Sequence, residues 1–116
     1  MFPDVLVDIA FATICFASSC YPVLVGVETP RGEFQLQHYS TLTPGYGGDL
    51  LVFKDTGDSV FAIHRVLDIS GEQRIARLRS PYPRHRTMIT AGCVNVDPET
   101  YKLLMECCYS SKVIIK

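Results

Sequence analysis

The chain has 116 residues, of which 47% are hydrophobic and 20% charged, with 11 Lys and Arg against 12 Asp and Glu. That composition describes an ordinary folded domain and excludes a disordered chain, and a net charge of −1 offers no general attraction to nucleic acid or an anionic membrane. One domain, residues 1–116, is expected at this length, with enough chain to bury a core.

The N-terminal run MFPDVLVDIAFATICFASSC is apolar, but Asp4 and Asp8 interrupt it and no basic residue precedes Arg31. It therefore reads as the first strands of a fold rather than a secretory signal. No stretch is long and apolar enough to predict a membrane-spanning helix. Val5 to Ile9 and Thr13 to Phe16 are predicted strands, with Ala17-Ser18-Ser19 as a turn. Pro22 to Val27 reads as a buried strand, and ETPRG (Glu28 to Gly32) as a break. From Glu33 to Tyr39 a period of two puts Phe34, Leu36 and His38 on one face, which predicts one half-buried strand.

TPGYGGD (Thr43 to Asp49) is a glycine-rich loop. LLVF and VFAIH follow as two strands joined by KDTGDS, a hairpin connection with its glycine inside. RIARLR alternates again, and SPYPRHRT carries two prolines that forbid a regular element. After Val96 the pattern changes. Asp97 is a good N-cap, Pro98 suits the first helical position, and Glu99 suits the positive end of the helix dipole. Tyr101, Leu104, Met105 and Cys108 then recur at helical spacing, and KVIIK closes the chain as a strand. The expected architecture is mostly β, with one short helix packed just after the strand that contains Cys93.

Five cysteines in so short a chain are many, and the odd number leaves at least one thiol free or paired with another chain. No Cys-x-x-Cys spacing occurs, so neither a zinc site nor any other metal or cofactor is expected. Cys15 and Cys20 fit either a hairpin disulfide or two buried thiols, and Cys108 falls on the apolar helix face. Six arginines lie between Arg65 and Arg86, against only Asp68 and Glu72. They read as a solvated surface, or as a basic rim for a ligand that carries carboxylates.

Cys93 stands in ITAGCVNV (Ile89 to Val96), directly after Gly92. A cysteine nucleophile needs a base or cation to populate its thiolate, and a small neighbour so that substrate can approach. Gly92 supplies the second, and would let the N–H groups of Gly92 and Cys93 converge as an oxyanion hole. Three histidines are available as base. His38 lies on the apolar face of its strand, and His85 sits between Arg84 and Arg86, whose charge disfavours its protonation. His64 ends the strand VFAIH and is the better partner. A structural cysteine and a structural histidine are the competing reading.

TPRGEF (Thr29 to Phe34), YGGDLL (Tyr46 to Leu51), AIHR (Ala62 to Arg65) and ITAGCVNV occur here in an order that resembles the L,D-transpeptidase catalytic-domain family. The resemblance covers roughly residues 5 to 104, and the Thr-x-Gly-Cys-Val-Asn segment with an upstream Ile-His is its most specific part. It implies a β-sandwich-like cysteine acyltransferase acting on peptidoglycan stem peptides, with a Cys93 thioester. His64 would serve as base and then acid, and the Thr90 carbonyl would orient it. Gly92 and Cys93 would hold the oxyanion. Asn95, Tyr46 and Arg86 would support or contact the substrate. A periplasmic or cell-wall-facing location is the family expectation, although this chain shows no clear signal peptide. Hydrolysis through the same thioester, as a carboxypeptidase or endopeptidase, and a non-catalytic peptidoglycan-binding module are the alternatives. Ala91 stands where the family usually has His, and the Arg-rich segment between His64 and Cys93 is an insertion that could form a substrate-facing flap. The oligomeric state is left open.

Overall fold

The computed structural model describes residues 4–116, so Met1 to Pro3 of the apolar N-terminal run lie outside the described residues. Turn residues recur every few positions and keep the strands short. These are β1 (Val5–Asp8), β2 (Thr13–Phe16), β3 (Ser19–Leu24), β4 (Gly32–Gln35), β5 (Gln37–Ser40), β6 (Asp49–Asp55), β7 (Val60–Arg65), β8 (Val94–Val96) and β9 (Lys112–Ile115). They form one sheet in the order β4-β9-β1-β2-β3-β8-β7-β6-β5. Its two outermost strands are consecutive in sequence and separated by Leu36 alone, so the sheet curls until it nearly closes.

That closure explains the first departure from the sequence expectation. The alternation from Glu33 to Tyr39 is two strands, because the backbone changes partners at Leu36, whose N–H donates to the Ser111 carbonyl. Leu36 is buried, but His38 beyond the corner is exposed rather than on an apolar face. Similarly, β3 ends at Leu24 and Val27 is solvent-exposed, since the chain turns away at Gly26 to bridge Thr90. The third departure is RIARLR, which forms a short helix, α1 (Arg74–Leu78), burying Arg74 and Leu78 one turn apart. Within the Pro-rich loop, Pro83–His85 make a single 3-10 turn.

The second helix, α2 (Pro98–Cys108), starts as its sequence dictates: the Asp97 carboxylate accepts the Glu99 N–H at 2.9 Å, and Pro98 occupies the first turn. Tyr101, Leu104 and Cys108 bury one stripe against Val5, Val7, Val94, Val113 and other strand residues. Full burial of a side chain such as Leu104 stabilises by about 1.5–3 kcal/mol. Cys15 and Cys20 face each other across β2 and β3 and are bridged, as are Cys107 and Cys108, which leaves Cys93 as the free cysteine.

Candidate active site

The site is built where β7 and β8, near the middle of the sheet, run parallel. β7 and β8 pair with His64 opposite Asn95 and Ile63 opposite Val94. Asn95 on β8 therefore shares a face with His64, whereas Cys93, expected inside the strand, immediately precedes it and lines the same clefts. The result is direct: His64, Cys93, Tyr46 and Val60 line two adjoining clefts, of about 350 and 210 Å³. The larger also holds Asn95, Arg74, Thr90 and Ala91, and the smaller reaches Thr41, Thr43 and Leu50. A bigger cavity of about 460 Å³ lies over β5 and β6 between Gln35 and Val60, and contains neither cysteine nor histidine.

His64 is 2% exposed. Its Nδ1 lies 2.7 Å from the Arg65 carbonyl oxygen, which can only accept, so Nδ1 carries the proton and Nε2 the free lone pair. The Tyr46 ring meets the imidazole edge-on, with centroids 4.6 Å apart. Burial pushes the imidazole below its ordinary pKa; the Arg65 carbonyl opposes this and the charge of Arg74 adds to it. The Cys93 thiol is half-buried and leans toward the Val60 carbonyl at 3.8 Å. Burial raises its pKa, against a backbone hydrogen bond from Ala62 and the Arg74 charge, which lower it. Both shifts favour uncharged partners, a thiol and a neutral imidazole, over a preformed thiolate–imidazolium pair.

Arg65, next in sequence to His64, fixes the facing loop. Its guanidinium donates to the carbonyls of Tyr46 and Gly47 and to Asp49 at 2.7 Å, and stacks 4.2 Å over the buried Tyr101 ring of α2. His38, expected on an apolar face, instead bonds the other Asp49 oxygen at 2.7 Å. Burial opposes ionisation of Asp49, but the hydrogen bonds from Arg65 and His38 outweigh it and hold the carboxyl below the usual range. One ion-paired cluster thus anchors the loop that carries Tyr46 against His64.

Several expected roles move to other atoms. The Thr90 carbonyl packs on Gly26, where a Cβ would sit 2.0 Å away, and the carbonyl that bonds His64 Nδ1 is that of Arg65. Thr90 acts through its hydroxyl, which donates to the Cys93 carbonyl at 2.6 Å and accepts from Gly92 N at 3.1 Å. It ties the turn before the thiol, and it occupies the Gly92 N–H expected in an oxyanion hole. Arg86, expected to contact substrate, lines neither cleft. It is 4% exposed, and its guanidinium donates to the carbonyls of Ala12, Phe11 and Ser80. His85 bonds Ser80 and lines a separate cavity with Gln73 and Arg77.

Asn95, by contrast, sits at the centre of the site, fully buried, with Nδ2 3.3 Å from His64 Nε2. Its Oδ1 accepts from Arg74 at 2.9 Å, and Arg74 also pairs with Glu72 at 2.8 Å. Sequence reasoning missed Arg74, Arg65 and Asp49 as site residues. The Arg neighbouring His64 and the Asp ending YGGD were visible, but nothing linked them without the fold. Among the described residues, no three His, Cys, Asp or Glu side chains gather as a metal would require, and no helix is long and apolar enough to cross a membrane.

Comparison with solved structures gives the architecture a counterpart. An L,D-transpeptidase from Xylanimonas cellulosilytica matches with a TM-score of 0.62 at 14% identity, covering 99% of this chain and 60% of that one. L,D-transpeptidase 3 from Mycobacterium tuberculosis, solved with a faropenem-derived adduct, matches at 0.69 with 10% identity, covering 98% and 60%. The helical cell shape determining protein Pgp2 from Campylobacter jejuni matches at 0.59 with 11% identity, covering 99% and 47%. The chain thus spans about 60% or less of the length of these relatives in structure. No protein-family model and no curated protein matches the sequence itself. The chain has an L,D-transpeptidase-like catalytic-domain fold, mostly β and nearly closed.

Proposed function

We propose that this domain is a cysteine acyltransferase acting on peptidoglycan stem peptides by L,D-transpeptidation. The observation that carries the proposal is the free thiol of Cys93 sharing two adjoining clefts with a buried histidine whose Nδ1 holds the proton and leaves Nε2 unprotonated. Two clefts meeting at one thiol suit a reaction with an acyl donor and an acyl acceptor.

In this reading His64 Nε2 takes the thiol proton as Cys93 Sγ attacks a stem-peptide carbonyl. Because both groups rest uncharged, proton transfer accompanies attack instead of preceding it. The carbon–nitrogen bond breaks, His64 returns the proton to the departing D-amino acid, and a thioester remains. An amine of a second stem then loses a proton to His64 and takes the acyl group, which restores the thiol. The Cys93 N–H stabilises the developing oxyanion; the Gly92 N–H joins it once the Thr90 hydroxyl turns away. Tyr46 walls the site, and Asn95 holds His64. A cell-wall-facing location follows from the substrate.

Incubation with purified muropeptides, read by mass spectrometry, tests this. A cross-linked dimer that disappears in Cys93→Ala is the expected product. A shortened stem without dimer shows hydrolysis through the same thioester, and unchanged substrate together with binding reduces the domain to a recognition module. In parallel, a carbapenem should leave one covalent adduct on intact protein, lost in Cys93→Ala, nearly lost in His64→Ala, and kept in His85→Ala.

A further inference from the structure

Arg74 belongs to the insertion, not to the motifs that suggested the fold, yet it reaches the centre of the site. It opens α1, its side chain is 10% exposed, and it lines the same cleft as His64, Cys93 and Asn95. Two of its donors are committed: Nε to Glu72 and Nη1 to Asn95 Oδ1.

The direction of that second bond matters. A guanidinium only donates, so the atom of Asn95 that meets it is the carbonyl oxygen. The amide NH2 must then point to the other side, where it meets His64 Nε2 at 3.3 Å. An NH2 group there demands an acceptor, so Nε2 is kept unprotonated. Had the amide been reversed, its oxygen would face Nε2 and call for a proton there. With Nδ1 already donating to the Arg65 carbonyl, the ring would then be satisfied as an imidazolium, which cannot act as a base. We propose that Arg74 is a positioning residue which, by fixing the orientation of the Asn95 amide, keeps Nε2 of His64 unprotonated, so that it takes a proton when the long Asn95 contact gives way to the thiol.

This deepens the acyltransferase reading and takes from it only the role of His64 as base. Arg74 touches no reacting atom; it acts through Asn95. Glu72 holds it from the other side, so the helix α1 and the base form one hydrogen-bonded row: Glu72, Arg74, Asn95, His64, Arg65 carbonyl. The ionisable groups that share the cleft with His64 are Cys93, Tyr46, Glu28 and Arg74 itself. Loss of the Arg74 charge alone would also ease protonation of His64. Charge and amide orientation are therefore separated by a second variant, Asn95→Leu, which keeps the Arg74 charge and removes the NH2 donor without adding a charge of its own.

The test is a pH titration of the imidazole nitrogens by 15N NMR, with His38 and His85 as internal references. In the wild type, His64 should show a protonated Nδ1 and a bare Nε2 throughout the neutral range. Arg74→Met should raise the His64 midpoint by about one pH unit or more, lowering acylation about tenfold at acidic pH and recovering at higher pH. Arg74→Lys, still a pure donor, should keep the wild-type form. Asn95→Leu should raise the midpoint as Arg74→Met does, although the Arg74 charge is still present, and it decides the matter if Arg74→Met does not fold. A wild-type His64 titration in Asn95→Leu overturns the inference whatever Arg74→Met does, as does an Arg74→Lys midpoint displaced as far as that of Arg74→Met. Because the NMR readout needs no substrate, a protein that never acylates yet titrates as described refutes the acyltransferase and leaves the Arg74 assignment standing.

Discussion

Gly92 offers the sharpest test of how the nucleophile turn is built. Its φ is +136°, a conformation that L side chains rarely adopt, and a Cβ added there would lie 2.5 Å from Phe61 Cε1 and 2.9 Å from Cδ1. The Glu28 carbonyl oxygen closes the other side at 3.3 Å. Gly92→Ala thus combines backbone strain of about 1–3 kcal/mol with overpacking of about 1–3 kcal/mol. The sum is about 2–6 kcal/mol, or a fall in Tm of about 8–24 °C at roughly 4 °C per kcal/mol for a domain of this size. Gly57→Ala is the control, since its φ is +88° but nothing lies within 4 Å of the added Cβ. It carries the strain alone, about 1–3 kcal/mol. The small gain from a stiffer unfolded chain is common to both variants and cancels in their difference. Thermal unfolding followed by circular dichroism should place Gly92→Ala well below Gly57→Ala, and pairing it with Phe61→Leu should recover part of the gap. Equal Tm values for the two glycine variants would falsify the steric role of Phe61.

The pH dependence follows from the site's burial. Acylation should keep its acid limb below the unperturbed imidazole value of about 6.5, since His64 is lowered by burial; a midpoint above 7 in the rate profile contradicts a buried neutral base. The same shift makes the unfolded chain bind the His64 proton first. Folding stability from this residue therefore falls as pH drops through about 6.5 toward the lower folded value. Asp49 works at a lower pH: its contribution is present above about 3.9 and is lost as pH falls through its depressed folded value. Asp49→Asn should cost about 1–3 kcal/mol in urea unfolding, by weakening charged hydrogen bonds to Arg65 and His38. It should also slow acylation, by loosening the Tyr46 loop. Unchanged stability and rate would show that Arg65 holds the loop through its carbonyl contacts alone.

What the sequence could reveal was whatever local chemistry decides. Asp97, Pro98 and Glu99 specify the start of α2 without help from the rest of the chain, and the helix begins where they say. The hairpin around Gly57 is likewise local, with β6 and β7 on either side. The corner at Leu36 escaped because side-chain alternation continues through it, while the event that divides β4 from β5 is a change of hydrogen-bond partner. α1 escaped because RIARLR is too short for its period to be distinguished, and its helix is set by where Arg74 and Leu78 find burial. At the site, His64 and Cys93 were legible as chemistry but not as neighbours, because the register of two strands 29 residues apart is a long-range fact. Asn95 carried a motif signal; Arg74 carried none.

The Arg-rich insertion shows what composition alone leaves open. Parallel strands such as β7 and β8 cannot be joined by a tight turn and need a crossover of a dozen or more residues. Here that crossover contains little regular structure, so fewer of its backbone carbonyls find strand or helix partners. Buried carbonyls must be satisfied, and guanidinium groups supply several donors on one long arm. Arg86 reaches back to Phe11 and Ala12, and Arg77 bonds the carbonyls of Glu72 and His85. Arg65 takes those of Tyr46 and Gly47, and Arg84 stacks on Tyr82. Arg77 and Arg86 are spent on these carbonyls, so the basic rim that stood as the alternative to a solvated surface does not form on them. Arg74 alone of this group is turned toward the thiol's cleft, where it meets a side-chain amide. The same need for donors that fixes the crossover thereby ties it to His64.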